Sequence, residues 1–289
     1  MSVYFEKVTV IGVGLIGGSV ARSLKKNKLC GRITGCSRRE EELQKGVELG
    51  VIDDYNLSMA EAAKDANLII ISVPLGVFEK VFAEIKDVIS DNTLITDVGS
   101  AKGSVIRSAS LVFDELPPGL VPGHPIAGNE KSGVEASFDS LFENRCTIIT
   151  PTEKSSQSAI DGIQQMWESI GAKVVSMTPE HHDLVLAATS HLPHVLAYSL
   201  VDTLGQMHEH SEIFQFAAGG FRDFTRIASS DPVMWRDICL HNKDAILTVL
   251  KSYERQLKCI ENAINDQNST EIEKIFLRAK KARDEHVIL

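Results

Sequence analysis

The sequence predicts an α/β protein in which a parallel sheet comes first and a helical region follows. Up to about residue 178, short runs rich in β-branched residues alternate with stretches of helical periodicity. That alternation is typical of a parallel sheet covered by helices on both faces. From Pro179 onward, strand-like runs largely vanish and long helical periods take over. A length of 289 residues exceeds one typical core, so we expect two domains, 1–178 and 179–289.

The elements follow from these patterns in chain order. The predicted strands are Lys7–Ile11, Arg32–Cys36, Leu68–Val73, Thr93–Asp97, Gly119–Pro122, Arg145–Thr150 and Lys173–Met177. The helices predicted between them include Leu15–Lys26, Gly76–Ile89 and Ser155–Ile170.

The second region reads as all-helical. Pro179 and Pro232 suit the first turn of a helix, the latter behind Ser230 or Asp231 as a cap. Pro193 should kink the helix that contains it. Helices this long expose an apolar stripe unless a partner covers it, so we expect a homodimer through this region. The predicted helices are Pro179–Met207, Pro232–Asn265 and Thr270–Val287.

A glycine-rich loop follows the first strand and opens the first helix. Gly12, Gly14 and Gly17 match G-x-G-x-x-G in the context that the motif requires. Such glycines permit the tight turn, the approach of a pyrophosphate and close packing of helix on strand, and the helix N-terminus attracts phosphate. A tight turn without a ligand is the alternative. We predict a dinucleotide-binding (Rossmann-like) domain, with Leu15 and Ile16 also at the cofactor.

The end of the second strand bears on the choice of cofactor. NAD-binding folds usually place an acid there, whereas this chain has Ser37, Arg38 and Arg39. A hydroxyl and two guanidinium groups suit a 2′-phosphate, so NADP is favoured over NAD. The arginines could instead be solvated residues that start the next helix. The loop at Val73 and Pro74 should face the same cofactor.

Polar residues cluster at two later strand ends, 97–103 and 123–133. His124 lies between Gly123 and Pro125, on a predicted loop, and its ordinary pKa of about 6.5 suits it to accept a proton from an alcohol. A loop histidine bonded to backbone is the alternative.

The helical region adds further polar residues. Ser190 and His194, four apart, share a helix face; Asp223 and Arg226 can meet, and Arg226 could hold a carboxylate. A structural ion pair is the alternative for the last two. The adjacent residues His181 and His182 are interpreted as solvated residues at the start of a helix.

Composition excludes several classes of protein. A net charge of −9 argues against a nucleic-acid surface. Five cysteines without a C-x-x-C pair argue against a disulfide scaffold and a metal site. No signal peptide is evident, and no segment approaches the roughly 20 apolar residues of a membrane span. We expect a cytoplasmic protein that binds neither metal nor membrane.

Taken together, these segments resemble the prephenate/arogenate (cyclohexadienyl) dehydrogenase family of tyrosine biosynthesis. The resemblance covers nearly the whole chain and is most specific in GHPIAGNEKSG (123–133) and GGFRDFTRIASSDPVMW (219–235), with SHLPH (190–194) between them. It implies oxidative decarboxylation of prephenate to 4-hydroxyphenylpyruvate with a nicotinamide cofactor.

Residue roles follow from the resemblance. His124 is similar to the base that takes the hydroxyl proton, and Ser100 to the serine that bonds this base, the substrate and the nicotinamide end. Arg226 is similar to the arginine that pairs with a substrate carboxylate, oriented by Asp223. The remaining pocket residues implied are Ser190, His194, Glu130 and Trp235, the last of which the family can donate across a dimer interface.

Other functions stay open at this point. Arogenate, or both substrates, could replace prephenate; the histidine in SHLPH favours prephenate. A β-hydroxyacid dehydrogenase or pyrroline-carboxylate reductase relative shares the glycine-rich start, but 179–207 lacks the catalytic lysine of the former. A non-catalytic NADP-binding sensor would not require His124, Ser100 and Arg226 together.

Overall fold

The computed structural model describes residues 3–128, 131–208 and 210–286. By its internal contacts the chain forms two compact units, 1–243 and 244–289. The domain boundary at 178/179 stays a prediction.

The first sheet has five parallel strands in the order β3-β2-β1-β4-β5. The order reverses between β1 and β4, so the carboxyl ends of these two strands flank the crevice in which such sheets hold ligands. The parallel sheet is confirmed, and β3 is the strand that sequence patterns did not predict. The strands are β1 (Phe5–Ile11), β2 (Cys30–Cys36), β3 (Asp54–Tyr55), β4 (Leu68–Ile71) and β5 (Leu94–Asp97).

Helices cover both faces of this sheet, as the continuous apolar character of β4 requires. All four residues of β4 are buried, and two clusters of buried side chains alternate along it, one with Leu68 and Ile70 and the other with Ile69 and Ile71. The covering helices are α1 (Leu15–Lys26), α2 (Glu40–Glu48), α3 (Met59–Ala63), α4 (Phe78–Ile85), α5 (Lys102–Ser110) and α6 (Gln157–Ser169).

A second, three-stranded sheet corrects two sequence expectations. Its order is β6-β7-β8, with β6 (Gly123–Pro125) antiparallel to β7 (Cys146–Ile149) and β7 parallel to β8 (Lys173–Ser176). His124 therefore lies in a strand, and its placement on a loop was wrong because pairing with β7 extends a segment flanked by Gly and Pro. The predicted strand Gly119–Pro122 forms one isolated bridge to β5.

The helical stretch after β8 contains an irregular turn. Thr178 caps α7 (Pro179–Leu186), a π-helical turn occupies Ala187–His191, and α8 (Leu192–Gly205) follows. The distortion predicted from Pro193 takes the form of this π turn, since proline removes the N–H that an α-helical ladder needs there. The remaining helices of the first unit are α9 (His210–Gln215), α10 (Gly219–Thr225) and α11 (Pro232–His241).

The other helices divide at Asn242 and around Gln267. The predicted single helix 232–265 is interrupted at Asn242, and Asp231 caps α11 by accepting from the Val233 N–H at 2.8 Å. The unit 244–289 contains most of α12 (Lys243–Asn265) and α13 (Ser269–His286). Gln267 turns the chain between them with φ +50°.

One stretch of 27 residues in the described part of the chain, Pro179–Gly205, is long and apolar enough to cross a membrane by length and composition, since an 18-residue window within it has a mean hydropathy of 1.4. The expectation that no segment reaches this length was wrong. Only 22% of this window is fully buried inside the chain, and the apolar side chains of α8 other than Ala197 are half-buried.

Candidate active site

The carboxyl ends of β1, β2 and β4 enclose a cleft of about 660 Å³. The predicted residues Gly12, Gly14, Ser37, Arg38, Arg39, Val73 and Pro74 line it. Leu15 and Ile16 line the neighbouring cavity, and Gly17 lies beneath the turn.

The glycines show that the cleft fits a dinucleotide. Gly12 has φ +97°, and a side chain there would meet the Ser72 carbonyl oxygen at 2.1 Å. A Cβ on Gly17 would come within 2.2 Å of the Gly12 oxygen. A Cβ on Gly14, at the N-cap of α1, would have nothing within 4 Å, and no side chain of the described residues caps the helix. Bare N–H groups beside open space are what a pyrophosphate requires.

Two arginines stand at the β2 edge of this cleft. The Arg39 guanidinium pairs with Glu42, and the Arg39 N–H donates to Ser37 Oγ at 3.3 Å. Arg38 is exposed and has no hydrogen-bond or ion-pair partner among the described residues. A guanidinium in this position is open to an anionic group on a bound nucleotide.

A second cavity, of about 470 Å³, adjoins the cleft. The two share four wall residues: Gly14, Ser72, Val73 and Pro74. The second cavity brings together four predicted residues from distant parts of the chain, Ser100, His124, Ser190 and Trp235. A cofactor lying along the cleft would therefore end beside His124.

His124 is held by a buried chain of hydrogen bonds. Its Nδ1 lies 2.9 Å from His182 Nε2, and His182 Nδ1 lies 2.8 Å from Asp183 Oδ1. The Asp183 carboxylate also accepts the first two N–H groups of α5, from Lys102 at 2.7 Å and Gly103 at 2.9 Å. His182 is fully buried, so the reading of 181–182 as a solvated helix start was wrong for this residue.

The environment shifts the titration of all three groups. Burial, reinforced by the charges of His182, Lys102 and His191, holds the pKa of His124 well below its ordinary value. Burial also lowers the pKa of His182, against the opposing hydrogen bond to Asp183. Burial by itself raises the pKa of Asp183, but its hydrogen bonds outweigh this and hold the pKa below the usual value. The aspartate is thus ionised and the histidines neutral near pH 7.

A buried ion pair links the segments 97–103 and 123–133. Lys102 Nζ bonds the Asp97 carboxylate and the Gly123 carbonyl, and neither charged side chain is exposed. Asp97 in turn accepts from the Gly99 N–H at 2.7 Å and the Gly123 N–H at 3.1 Å. The pair therefore sets the position of β6, with His124, relative to the loop that carries Ser100.

Two further rings pack on Trp235. His194 stacks on the indole with ring centroids 3.6 Å apart, and its Nδ1 donates to the Ser190 carbonyl at 2.9 Å. His191, in the π turn, lies edge-on to the indole at 6.1 Å and accepts at Nδ1 from Asn242 at 3.0 Å. Burial lowers the pKa of His191 to about 4, so this ring is neutral near pH 7.

Comparison with known proteins identifies this arrangement. The nucleotide-binding domain of prephenate dehydrogenase matches residues 20–176, and the dimerization domain of prephenate dehydrogenase matches residues 178–278. The chain belongs to the prephenate dehydrogenase family.

Relatives extend over nearly the full chain. Prephenate dehydrogenase of Bacillus subtilis is 39% identical, over 96% of this chain and 76% of its own length. Cyclohexadienyl dehydrogenase of Zymomonas mobilis is 37% identical, over 96% of this chain and 95% of its own. The structure of A. aeolicus prephenate dehydrogenase with hydroxyphenyl propionate and NAD+ has a TM-score of 0.92 and 37% identity, covering 99% of both chains. Membership makes this chain an oxidoreductase.

The cavity does not bring together all of the residues predicted for the substrate site. His194, Asp223 and Arg226 are outside the lining of the 470 Å³ cavity. Arg226 nevertheless lies near enough for its charge to lower the pKa of His194, after the larger effect of burial. No hydrogen bond joins Ser100 to His124 in the described residues. Glu130 lies outside the described residues, and Trp235 lines the cavity of its own chain.

Sequence reasoning missed the residues that support His124. The segment 97–103 was recognised, but the roles of Asp97 and Lys102 in it were not, and His182 and Asp183 were overlooked. Both residues lie in α7 and are buried. Their burial comes from packing against elements that are far away in the sequence, so α7 by itself carried no signal for them.

Proposed function

We propose that this chain oxidises prephenate to 4-hydroxyphenylpyruvate and CO2, with NADP as the preferred hydride acceptor. The supporting observation is His124, whose second ring nitrogen, Nε2, has no partner among the described residues and faces a cavity that shares a wall with the nucleotide cleft. A neutral imidazole placed there can act as a base.

The chain's residues carry out the proton transfers. His124 Nε2 accepts the ring hydroxyl proton as hydride leaves the same carbon; a bound nicotinamide supplies the hydride acceptor. The ring carboxylate then leaves as CO2, and its bonding electrons complete the aromatic ring. His124 returns the proton to the phenol oxygen, so no net proton is consumed. Ser100 and Ser190 supply hydrogen-bond donors to the substrate, Trp235 supplies an aromatic wall, and Arg226 with Asp223, His194 and Glu130 would complete its site.

NADP is proposed because of Ser37, Arg38 and Arg39. A 2′-phosphate at the end of β2 would meet the unpaired Arg38 guanidinium, whereas a bare ribose hydroxyl would find no acidic acceptor at the strand tip. The exposure of both arginines limits the energy of the contact. We expect preference between the cofactors, and not exclusion of NAD.

Arogenate is the second candidate substrate, favoured by one feature of the cavity. Two carboxylates, Asp231 and Asp237, lie in its wall, and a carboxylate attracts the ammonium group that distinguishes arogenate from prephenate. Arg236 partly neutralises Asp237, because its Nε and Nη2 both donate to Asp237 Oδ1, at 2.8 and 2.6 Å. Prephenate therefore remains the main proposal.

We also infer a homodimer in the cytoplasm. The incompletely buried apolar face of Pro179–Gly205 would be covered by a second copy, in the part that matches a dimerization domain. Five free cysteines, of which Cys259 is exposed, support a reducing compartment.

The test is a spectrophotometric assay with prephenate or arogenate, each with NADP or NAD. We expect turnover with prephenate and NADP, lowered by about 10²-fold or more in His124→Asn. Arg38→Ala should lower kcat/KM for NADP by about 5- to 10-fold relative to NAD, the equivalent of about 1 kcal/mol. Lys45→Ala, an exposed cation on α2 outside the cleft, is the matched control and should change neither ratio.

The four mixtures separate the proposals. Turnover with NAD alone would overturn the NADP preference and leave the reaction standing. Turnover with arogenate alone would replace prephenate by the second candidate. Absence of turnover in all four, with nucleotide binding intact, would overturn the proposed activity.

A further inference from the structure

The buried chain from His124 to Asp183 has a definite polarity. Both Asp183 oxygens already accept backbone N–H groups of α5, at a helix end where a negative charge is stabilised. The carboxylate is ionised, and therefore His182 Nδ1 must carry the proton of the bond to Asp183. A neutral His182 then has a lone pair at Nε2, and His124 must donate its Nδ1 proton to it.

This polarity determines which nitrogen of His124 is basic. With Nδ1–H committed to His182, the lone pair lies at Nε2, the nitrogen open to the cavity. A histidine with the other tautomer would present an N–H to the substrate hydroxyl and could not accept its proton. The hydrogen bonds thus select the reactive tautomer, as second partners of catalytic histidines commonly do.

We propose that His182 and Asp183 form a proton relay behind His124. As His124 Nε2 takes the substrate hydroxyl proton, the Nδ1 proton of His124 moves to His182 Nε2, and the positive charge comes to lie next to the Asp183 carboxylate. The proton returns by the reverse path when the phenol oxygen is reprotonated, and the relay regains its starting state. This inference rests on the proposed function, because that function supplies the hydroxyl proton.

The surroundings favour moving the charge away from His124. Burial acts most strongly against a positive charge on His124, and the charges of His182, of Lys102 on α5 and of His191 in the π turn add to it. Burial is also the largest effect at His182, but there the hydrogen bond to Asp183 and the negative charges of Asp183 and of Asp97 on β5 favour the charged form, against Lys102. Thus the charged ring is better stabilised one residue further from the substrate.

The test uses His182→Gln, whose amide oxygen can accept the bond from His124 Nδ1 but cannot take up a proton. We expect kcat for hydride transfer to fall about 10- to 100-fold with KM little changed. We also expect a change in the rate of the pre-steady-state hydride-transfer step plotted against the fraction of D2O. The plot should be curved in the native protein, where two protons move, and linear in His182→Gln, where one proton moves. His181→Gln, the same change at the adjacent exposed residue, is the matched control and should keep the native curve and rate.

A second measurement is independent of turnover. The His182 Nδ1–H should give a strongly downfield proton NMR signal in the free protein, lost in Asp183→Asn and in His182→Gln but retained in His181→Gln. A native rate and a curved isotope dependence in a folded His182→Gln would overturn the relay. A native chain inactive in all four substrate mixtures, yet showing the signal, would overturn the function and leave the hydrogen-bond chain in place.

Discussion

At the scale of single residues, the two loop glycines differ in what they do. Gly12 is required by the backbone, since φ +97° and the 2.1 Å approach to the Ser72 oxygen leave no room for a side chain. Gly14 has open space around it, so its requirement arises only when a phosphate occupies that space. Two glycines of one motif therefore have different roles: Gly12 is needed for folding and Gly14 for binding.

Substitution by alanine should separate these roles. We expect Gly12→Ala to lower the free energy of unfolding by more than about 2 kcal/mol, from strain and overlap. Gly14→Ala should unfold at nearly the native urea midpoint but weaken NADP binding by about tenfold or more, measured by fluorescence titration. Gly220→Ala, also with nothing within 4 Å and outside the cleft, controls for the added methyl group. Native affinity in Gly14→Ala would refute this division.

At the scale of elements, the π turn at Ala187–His191 brings two adjacent residues to one cavity. Ser190 and His191 both line it, whereas neighbours in a regular helix point about 100° apart. Asn242, at the break between α11 and α12, donates to both His191 and the Asp183 carbonyl. The Asn242 side chain therefore links the π turn to the break between α11 and α12. Together they hold His191 in a buried, neutral form.

This burial makes the fold sensitive to acid. A histidine with a folded pKa of about 4, against about 6.5 when unfolded, binds its proton more readily in the unfolded chain. Its contribution to stability is complete above about pH 6.5 and is lost as pH falls towards 4, by about 2 kcal/mol at pH 5. The free energy of unfolding, measured with urea at about pH 7.5 and 5, should differ less between the two pH values in His191→Asn than in the native chain. His181→Asn should show the native difference. Equal differences in all three proteins would contradict the assignment of this acid sensitivity to His191.

At the scale of the whole molecule, the incompletely buried apolar face of α8 predicts self-association. Light scattering should give twice the 31.7 kDa chain mass. Leu200→Glu, at a half-buried position of α8, should shift the species towards the single chain, because a charge would be buried in the interface. Leu111→Glu, at a position 74% exposed in the nucleotide-binding half, should leave the mass unchanged. A native protein of single-chain mass would refute the dimer.

Much of this molecule could be predicted from its sequence, for physical reasons. Period-two and period-3.6 patterns located the sheet and the bounds of α1, and Pro232 with Asp231 located a helix start. His182 could not be identified, because its burial depends on α5 and β6, which are far away in sequence. The strand around His124 was missed for the same reason: only pairing with β7 makes Gly-His-Pro extended.

The wall that the two cavities share has a consequence for inhibitor design. Gly14, Ser72, Val73 and Pro74 line both spaces, so no thicker layer of protein separates a nucleotide from a substrate. A single compound that joins a nicotinamide-like group to a cyclohexadiene or phenol carboxylate would need only a short tether across this shared wall. Such a tether gives the second group a high effective concentration. A mutation in the shared wall that excluded the inhibitor would also disturb both natural ligands.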